Sequence, residues 1–574
     1  MNQSSKFFDL LVARGVLDKA SVEVILKKSG NDAFEAVLKM KEGEIDVQAT
    51  TNDLGQWWAD CNGLAYVELS KSLFQPGVVQ KLPKDFSYAH TIIPLYQFGD
   101  AVTVAVADVS NKDILKEAGE LMGAPASPVF SFPDEIQDAL AIQYQTENSI
   151  EEITSKISGA LISSSGNEAT LESIKEIAGD KAIVDLVQSI FLLGLKEGAS
   201  DIHIEPYENR VNVRFRIDGI LYNRMSFGKS VLPPLISRLK ILSNTNITEN
   251  RRPQDGRISF KLSSRSIDVR FATMPTIFGE KITLRILGRA LVQDVPGLDE
   301  LSLSAANRSK LEDIIRTPNG VIFVTGPTGS GKTTTLFSIL NQLNEPETNI
   351  LTVEDPVEYR LEGITQVQVN AAIDLDFAKV LRSFLRHDPD IILVGEIRDL
   401  ETAKVASQAA LTGHLVMATM HTNNSLQAIT RLVEIGVEPF LVAPSVIGVV
   451  AQRLVRKICE QCKEKYEVDE ALLNETFLWD GMEKVYFYRG RGCEKCKHSG
   501  YSGRIALHEI LIVDEQVRDF IAKSSSILEV KKYVESDTVD FQTLRYDGLK
   551  KVLRGLTTID EINKTTPKEL KVNF

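Results

Sequence analysis

An α/β protein of several domains is what this sequence predicts, on three observations. Its 574 residues amount to three or four domains at about 150 residues each. Short apolar runs that suit buried strands, among them Val321-Ile-Phe-Val-Thr325 and Ile391-Ile-Leu-Val394, alternate with stretches of helical periodicity. The first of these runs leads straight into Gly326-Pro-Thr-Gly-Ser-Gly-Lys-Thr333, and then into a helix marked by Leu336, Ile339, Leu340 and Leu343. Strand, glycine-rich loop and helix in that order make a phosphate-binding loop. Composition agrees, since 43% apolar and 25% charged residues belong to an ordinary globular chain rather than a disordered one.

Taken in order, residues 1–143 read as a small α/β domain. Leu10, Leu11, Val16, Leu17, Val22 and Ile25 suit two short amphipathic helices, and Thr91-Ile-Ile-Pro-Leu95 and Ala101-Val-Thr-Val-Ala-Val-Ala-Asp108 suit strands. Residues 144–180 turn polar around Ser163-Ser-Ser-Ser-Gly-Asn, the composition of a flexible linker. A second α/β domain is expected over 181–290: a helix from Ala182 to Leu195, alternating strands Ser200–Pro206 and Arg210–Asp218, a helix Leu232–Leu242, and strands Arg257–Leu262 and Ser266–Phe271. Asp201 and His203 alternate with Ile202 and Ile204, so the two share a strand face, where a structural hydrogen-bonding role suits them. The third domain, 291–574, holds the chemistry.

Net charge and apolar runs exclude several classes. With 65 basic against 78 acidic side chains, a net charge of −13, no nucleic acid partner is expected. The start, Met-Asn-Gln-Ser-Ser-Lys-Phe-Phe-Asp, is no secretory signal. The longest apolar stretch, Phe440 to Ala451, contains Pro444 and falls well short of the roughly 20 residues that cross a bilayer. The expectation is a cytoplasmic chain whose membrane association, if it has one, is peripheral.

Each residue type of the loop has a physical task. Gly326, Pro327, Thr328, Gly329, Ser330 and Gly331 turn backbone N–H groups onto phosphate, the helix N-terminus at Thr333 and Thr334 adds its positive end, Lys332 reaches the β and γ phosphates, and Thr333 ligates Mg²⁺. Hydrolysis needs acids as well. Glu396 follows the strand Ile391–Val394 in a Walker B position and can hold Mg²⁺ through water. Another strand, Ile350–Val353, ends in Glu354-Asp355-Pro-Val-Glu358, and one of these carboxylates should orient the attacking water. A further strand carries His414 and His421, whose plainest reading is a polar strand end.

Cys459-x-x-Cys462 and Cys493-x-x-Cys496 are separated by 30 residues, and two such knuckles place four thiolates around one Zn²⁺. With all four positions filled by protein, the zinc is structural. His498 competes as a ligand only weakly against four cysteines, and Cys61 reads as an ordinary buried thiol.

In sequence order, the phosphate loop, the acidic box EDPVEY, LVGEIRD and GHLVMATMHTN resemble the secretion ATPase superfamily, most closely the assembly ATPases of type IV pili and type II secretion systems. GASDIHIEP, VRFRIDG and RPQDGRIS are similar to that family's signatures in the preceding domain. The likeness runs from Ala182 to about Leu511 and extends more weakly over Gly63–Leu69 and Ile93–Asp108. It implies a RecA-like ATPase core, a preceding α/β domain that completes the ATP site, a small N-terminal docking domain and a zinc subdomain over 456–500. It also implies a homo-hexameric ring, with ATP, Mg²⁺ and Zn²⁺, driving pilin assembly through an inner-membrane platform protein and other pilus or secretion components. Type II secretion is the alternative within the family; outside it stand a DNA-translocating ring and a nucleotide-gated scaffold.

Carried over by position, the resemblance implies Lys332 and Thr333 on phosphate and Mg²⁺, Glu358 as the residue that positions or deprotonates water, and Glu396 as the Walker B acid. Glu354 and Asp355 belong to the same box. Arg214, Arg216, Arg382, Arg386 and Arg398 match arginines that sense the γ-phosphate or contact a neighbouring subunit, and His414 with His421 matches a sensor of nucleotide state. Retraction ATPases lack both the tetracysteine segment and the long N-terminal region, so their presence here favours extension or secretion. Some relatives bind cyclic di-GMP through a motif opening Arg-Leu-Gly; the equivalent Lys6-Phe-Phe-Asp-Leu-Leu-Val-Ala-Arg14-Gly lacks that opening, which leaves docking as the expected role.

Overall fold

The computed structural model describes all residues except 1–2, 30–31, 76, 109–111, 146–149, 151–152, 156, 158–180, 288–294, 359, 479–484, 537–538, 569–571 and 574. The expected linker over 144–180 lies largely outside the described residues. The chain divides into two units, Met1–Leu287 and Gly288–Phe574.

The first unit opens with four helices, Gln3–Ala13, Lys19–Lys28, Ala33–Lys41 and Thr51–Cys61. Three of their starts are set locally: the side chains of Asp18, Asp32 and Thr50 accept from the first-turn N–H groups, as N-caps do. The helices bury Phe7, Leu11, Trp58 and Phe130 in one cluster. Cys61 at the end of the fourth is half-buried, less enclosed than its residue type suggests, and burial raises its thiol pKa. Strands β1 (Ile92–Phe98), β2 (Ala101–Val106) and β3 (Ala126–Phe130) form a three-stranded sheet.

The rest of that unit is a six-stranded antiparallel sheet of β4 (Asp201–Pro206), β5 (Arg210–Ile217), β6 (Ile220–Gly228), β7 (Gln254–Lys261), β8 (Ser266–Thr276) and β9 (Gly279–Ile286), in the order β6-β5-β4-β9-β8-β7. The helices Lys181–Glu197 and Leu232–Leu242 share a core with its apolar face, into which Ile202 and Ile204 point. Asp201, His203 and Glu205 alternate onto the opposite face, but Asp201 and His203 have separate partners. Asp201 accepts from Arg285 at 2.8 Å and from Ser200, and His203 Nδ1 lies 3.4 Å from the Thr283 hydroxyl. Hydrogen bonds join residues 138–145 to this sheet and to the helix Lys181–Glu197. Buried Asp138 accepts from the N–H groups of Ser263 and Ser264 in the β7–β8 turn, and Lys196 donates to the carbonyls of Gln143 and Gln145.

The second unit is built on a seven-stranded sheet. Its strands are β10 (Gly320–Thr325), β11 (Ile350–Glu354), β12 (Thr365–Gln368), β13 (Ile391–Val394), β14 (Leu415–Met420), β15 (Val446–Ile458) and β19 (Tyr501–Ile512), in the order β12-β11-β13-β14-β10-β15-β19. All neighbours are parallel except β15 and β19. Apolar clusters cover both faces, which is why these strands read as continuous apolar runs rather than alternating ones. The apolar stretch Phe440–Ala451 divides between a helix, Pro439–Ser445, and β15. Pro444 in the helix's last turn has no N–H to extend it, and the β-branched Val446, Ile447, Val449 and Val450 then suit a strand.

A smaller sheet pairs β16 (Lys463–Glu467) with β18 (Tyr486–Gly490), while β17 (Phe477–Leu478) pairs with Val572–Asn573. No helix among the described residues is long and apolar enough to cross a membrane.

Candidate nucleotide site and cysteine cluster

Because β10, β11, β13 and β14 run parallel, their exits lie on one edge of the sheet, the edge where such folds bind ligands. Four segments leave there: the loop after Thr325, Glu354–Glu358 after β11, Gly395–Arg398 after β13, and His421–Asn423 after β14.

The loop is shaped by its glycines. Gly329 and Gly331 have φ of 78° and 89°, left-handed values that disfavour any side chain, and Gly331 opens the helix Lys332–Leu343. Lys332 Nζ folds back onto the carbonyls of Gly326 (2.9 Å) and Pro327 (3.2 Å). Burial lowers its pKa, against the opposing pull of Glu396. Ser330 Oγ is buried without a hydrogen-bond partner among the described residues. A cradle of glycines at a helix N-terminus, a lysine satisfied only by loop carbonyls and an orphaned hydroxyl together fit an anionic phosphate chain. A cleft of about 770 Å³ opens beside the loop, with Pro327, Thr328, His421, Asn423, Gln427 and Arg431 in its wall.

The three acids of the box have different surroundings. Glu354 is buried, and its carboxylate accepts from Thr352 Oγ1 (2.7 Å), Gln366 Nε2 (3.0 Å) and the N–H of Glu358. Burial raises its pKa in spite of those donors. Asp355 and Glu358 are exposed. Glu354 is thus a strut that shapes the segment carrying Glu358, not a group open to the cleft. Glu354→Leu is expected to cost about 1–3 kcal/mol by leaving its donors unpaired, a loss that denaturant unfolding will measure.

Glu396 is mostly covered and pairs with Arg398 at 2.6 Å; His421 Nε2 lies 3.6 Å from its other oxygen. Gly395 lets β13 approach β11 closely, since a Cβ there would lie 3.2 Å from Glu354 Cα. Burial lowers the His421 pKa, and the Lys332 charge adds to that, so the imidazole beside Glu396 is held neutral. His414 is elsewhere. It precedes β14, and its Nδ1 lies 2.8 Å from the Ala409 carbonyl. The six-residue strand between them sets it at the other end of β14 from His421, about 23 Å away over seven steps of about 3.3 Å.

The arginines disperse as well. Arg382 pairs with exposed Glu401 at 2.7 Å, and Arg386 donates to the Arg382 carbonyl. Arg386 adjoins His387 and Asp388, whose carbonyls bind Asn349 at the entry to β11, the sheet edge opposite the loop. In the first unit, Arg214 approaches Glu205 through Nη2 and Nε, each at 2.8 Å, whereas Arg216 donates to the Gly219 carbonyl and stands 3.7 Å from Asp201. Of the five, the second unit brings only Arg398 to the acids beside the loop.

Two residues here escaped the sequence reading. Arg453 is half-buried and donates to the carbonyl and side-chain oxygens of Asn423 (3.0 and 3.1 Å), and its charge acts on Lys332. Gln452 lies beneath the loop. Their one signal was a polar pair closing an otherwise apolar run.

The four cysteines converge. Their sulfurs all lie within 4.8 Å of one another, with Cys459–Cys493 at 3.8 Å and Cys462–Cys496 and Cys493–Cys496 at 3.7 Å. Tetrahedral zinc with bonds of about 2.3 Å sets its thiolates about 3.8 Å apart, so the residues fit the ion. Burial pushes the Cys462 thiol up to about 12, so a cation is what would hold it as thiolate. The Cys493 N–H points at Cys496 Sγ (3.1 Å), and His498 is not in the cluster.

Comparison with known proteins places this geometry. The family described as type II/IV secretion system protein matches residues 176–564, and the MshEN domain matches 62–149. Type II secretion system ATPase E of Vibrio cholerae is 45% identical over 397 residues, 69% of this chain and 77% of its own. Type II secretion system protein E of Dickeya dadantii is 41% identical over 502 residues, 85% of this chain and 97% of its own. Type IV pilus assembly ATPase PilB of Thermus thermophilus is 38% identical over 544 residues, 93% of this chain and 59% of its own. With a phosphate loop, strand-end acids and a tetracysteine cluster inside a match that spans well over half its length, the chain belongs to the type II/IV secretion system protein family.

Proposed function

We propose that this ATPase is a ring motor that drives the addition of pilin-type subunits through an inner-membrane platform protein, working as a homo-hexamer at the cytoplasmic face of that membrane. The observation that carries the reading is family membership together with a complete loop and two acids, Glu358 and Glu396, at the sheet edge that serves it. Lys332 and the loop N–H groups bind the phosphates of ATP, Glu358 orients the attacking water, and Thr333 and Glu396 would hold Mg²⁺, which offsets phosphate charge when bound. The chemical step is positioning and charge stabilisation. Arg214 and Arg216 are proposed to reach a nucleotide or a neighbouring copy, which requires exchanging their present partners, Glu205 and Asp201.

Type IV pilus extension is supported by coverage: pilus assembly ATPases of Thermus thermophilus and Myxococcus xanthus match 93% and 91% of this chain. Type II secretion is the second reading, supported by higher identity, 45% and 41%. A deletion strain separates them: loss of surface pili marks the first, retention of an exoprotein inside the cell the second. For the motor itself, steady-state ATPase and oligomer mass are measured on wild type and Lys332→Ala. Hexameric turnover that Lys332→Ala abolishes, with loss of ATP binding, is expected; monomeric wild type without turnover would favour the scaffold.

A further inference from the structure

Gln452 is 2% exposed, an expensive place for an amide unless hydrogen bonds hold it. Strand β15 lies beside β10 with Thr325 opposite Ala451, so Gln452 stands next to Gly326, where the loop begins. A Cβ on Gly326 would lie 2.5 Å from the Gln452 carbonyl oxygen and 2.6 Å from Ser330 Oγ; one on Gly331 would lie 2.8 Å from Gln452 Nε2. The loop therefore closes onto this glutamine at both ends, through its backbone at Gly326 and its side chain at Gly331.

The amide is also oriented. Gln452 Oε1 accepts from the fully buried Thr335 hydroxyl at 2.7 Å, and the Thr335 N–H donates to the Gly331 carbonyl at 3.1 Å. With Oε1 committed to Thr335, Nε2 faces the loop. An apolar side chain of similar volume would fill the space with no hydrogen bond to fix it.

We infer that Gln452 is a positioning residue of the phosphate-binding loop: locked by Thr335, it holds Gly326 and Gly331 at the separation that aims the loop's N–H groups. This rests on the reading that the loop takes the phosphates of ATP. Gln452 acts through the loop backbone, so its loss changes ATP affinity more than it changes the fold.

The experiment titrates a fluorescent ATP analogue into full-length wild type, Gln452→Met, Thr335→Val, Thr335→Ser and the double variant Gln452→Met/Thr335→Val. The nucleotide-free Tm of each is recorded alongside. Gln452→Met is expected to raise Kd about tenfold, the size of one lost hydrogen bond, while remaining folded. Thr335→Val should weaken binding several-fold, Thr335→Ser should restore it, and Thr335→Val should add nothing in the Gln452→Met background, the signature of coupled residues. Unchanged Kd in folded Gln452→Met, or independent multiplying effects, would overturn the inference. If Gln452→Met does not fold, Thr335→Val against Thr335→Ser decides it by the same readout. Wild type that fails to bind ATP, or Lys332→Ala that binds as wild type does, overturns the nucleotide reading beneath it instead.

Discussion

Glu358→Gln is expected to bind ATP as tightly as wild type and to turn it over about 10²–10⁴ times more slowly, the range for losing a positioned general base. The substitution keeps the size and polarity of the side chain but removes its capacity to accept a proton. Glu358 is exposed after β11 and its charge acts on Lys332, whereas Glu354 is buried and shared among three donors. Of the two glutamates in the box, Glu358 is therefore the one free to meet water. Phosphate release under saturating ATP, with Kd measured on the same protein, checks this. Turnover within threefold of wild type would remove Glu358 from the role.

The largest structural effect is expected at the cysteine cluster. Stripping metal with a chelator, or replacing Cys462 by Ser, should unfold the two cysteine knuckles, 459–462 and 493–499, while the seven-stranded sheet survives, because structural zinc supplies on the order of 10 kcal/mol of local folding energy. The sheet has its own apolar clusters on both faces, and Val468, Leu473, Phe477 and Phe487 between the knuckles pack into another, whereas the knuckles' own buried cluster is of cysteines. Burial, joined by the neighbouring thiols, raises the Cys462 pKa to about 12, whereas Cys496, despite its burial, is lowered to about 6 by backbone N–H groups, so it is at Cys462 that a bound cation is needed to hold a thiolate. Elemental analysis should find one zinc per chain, and limited proteolysis should cut within 493–499 only after its removal. A metal-free chain that resists cleavage there would show that the knuckles fold on hydrogen bonds alone.

Much of this protein was legible before its fold. The strand-loop-helix of 321–343, the strand ends bearing Glu354, Glu358 and Glu396, and the two cysteine knuckles are short-range patterns, and local geometry makes each of them wherever it is placed. The same holds for the capped helices of the first unit and for the alternation that sets Asp201, His203 and Glu205 on one face of β4. Sequence spacing could not say which of these residues meet. His414 and His421 look like one motif in the chain, yet the strand between them puts one at each edge of the sheet. Glu354 and Glu358 look equivalent, until packing buries the first and leaves the second exposed.

By itself, then, the sequence determined the kinds of element, the glycine-rich loop between strand and helix, the acids at the strand ends and the paired cysteine knuckles, because backbone geometry and side-chain chemistry act over a few residues. Only the tertiary structure decided that Arg453 stands beside Lys332, that Gln452 lies under Gly326 and Gly331, and that Arg386 lies at the edge away from the loop. Those meetings depend on the strand order β12-β11-β13-β14-β10-β15-β19. That order follows from which apolar faces pack together across the whole unit, and no local window of the chain encodes it.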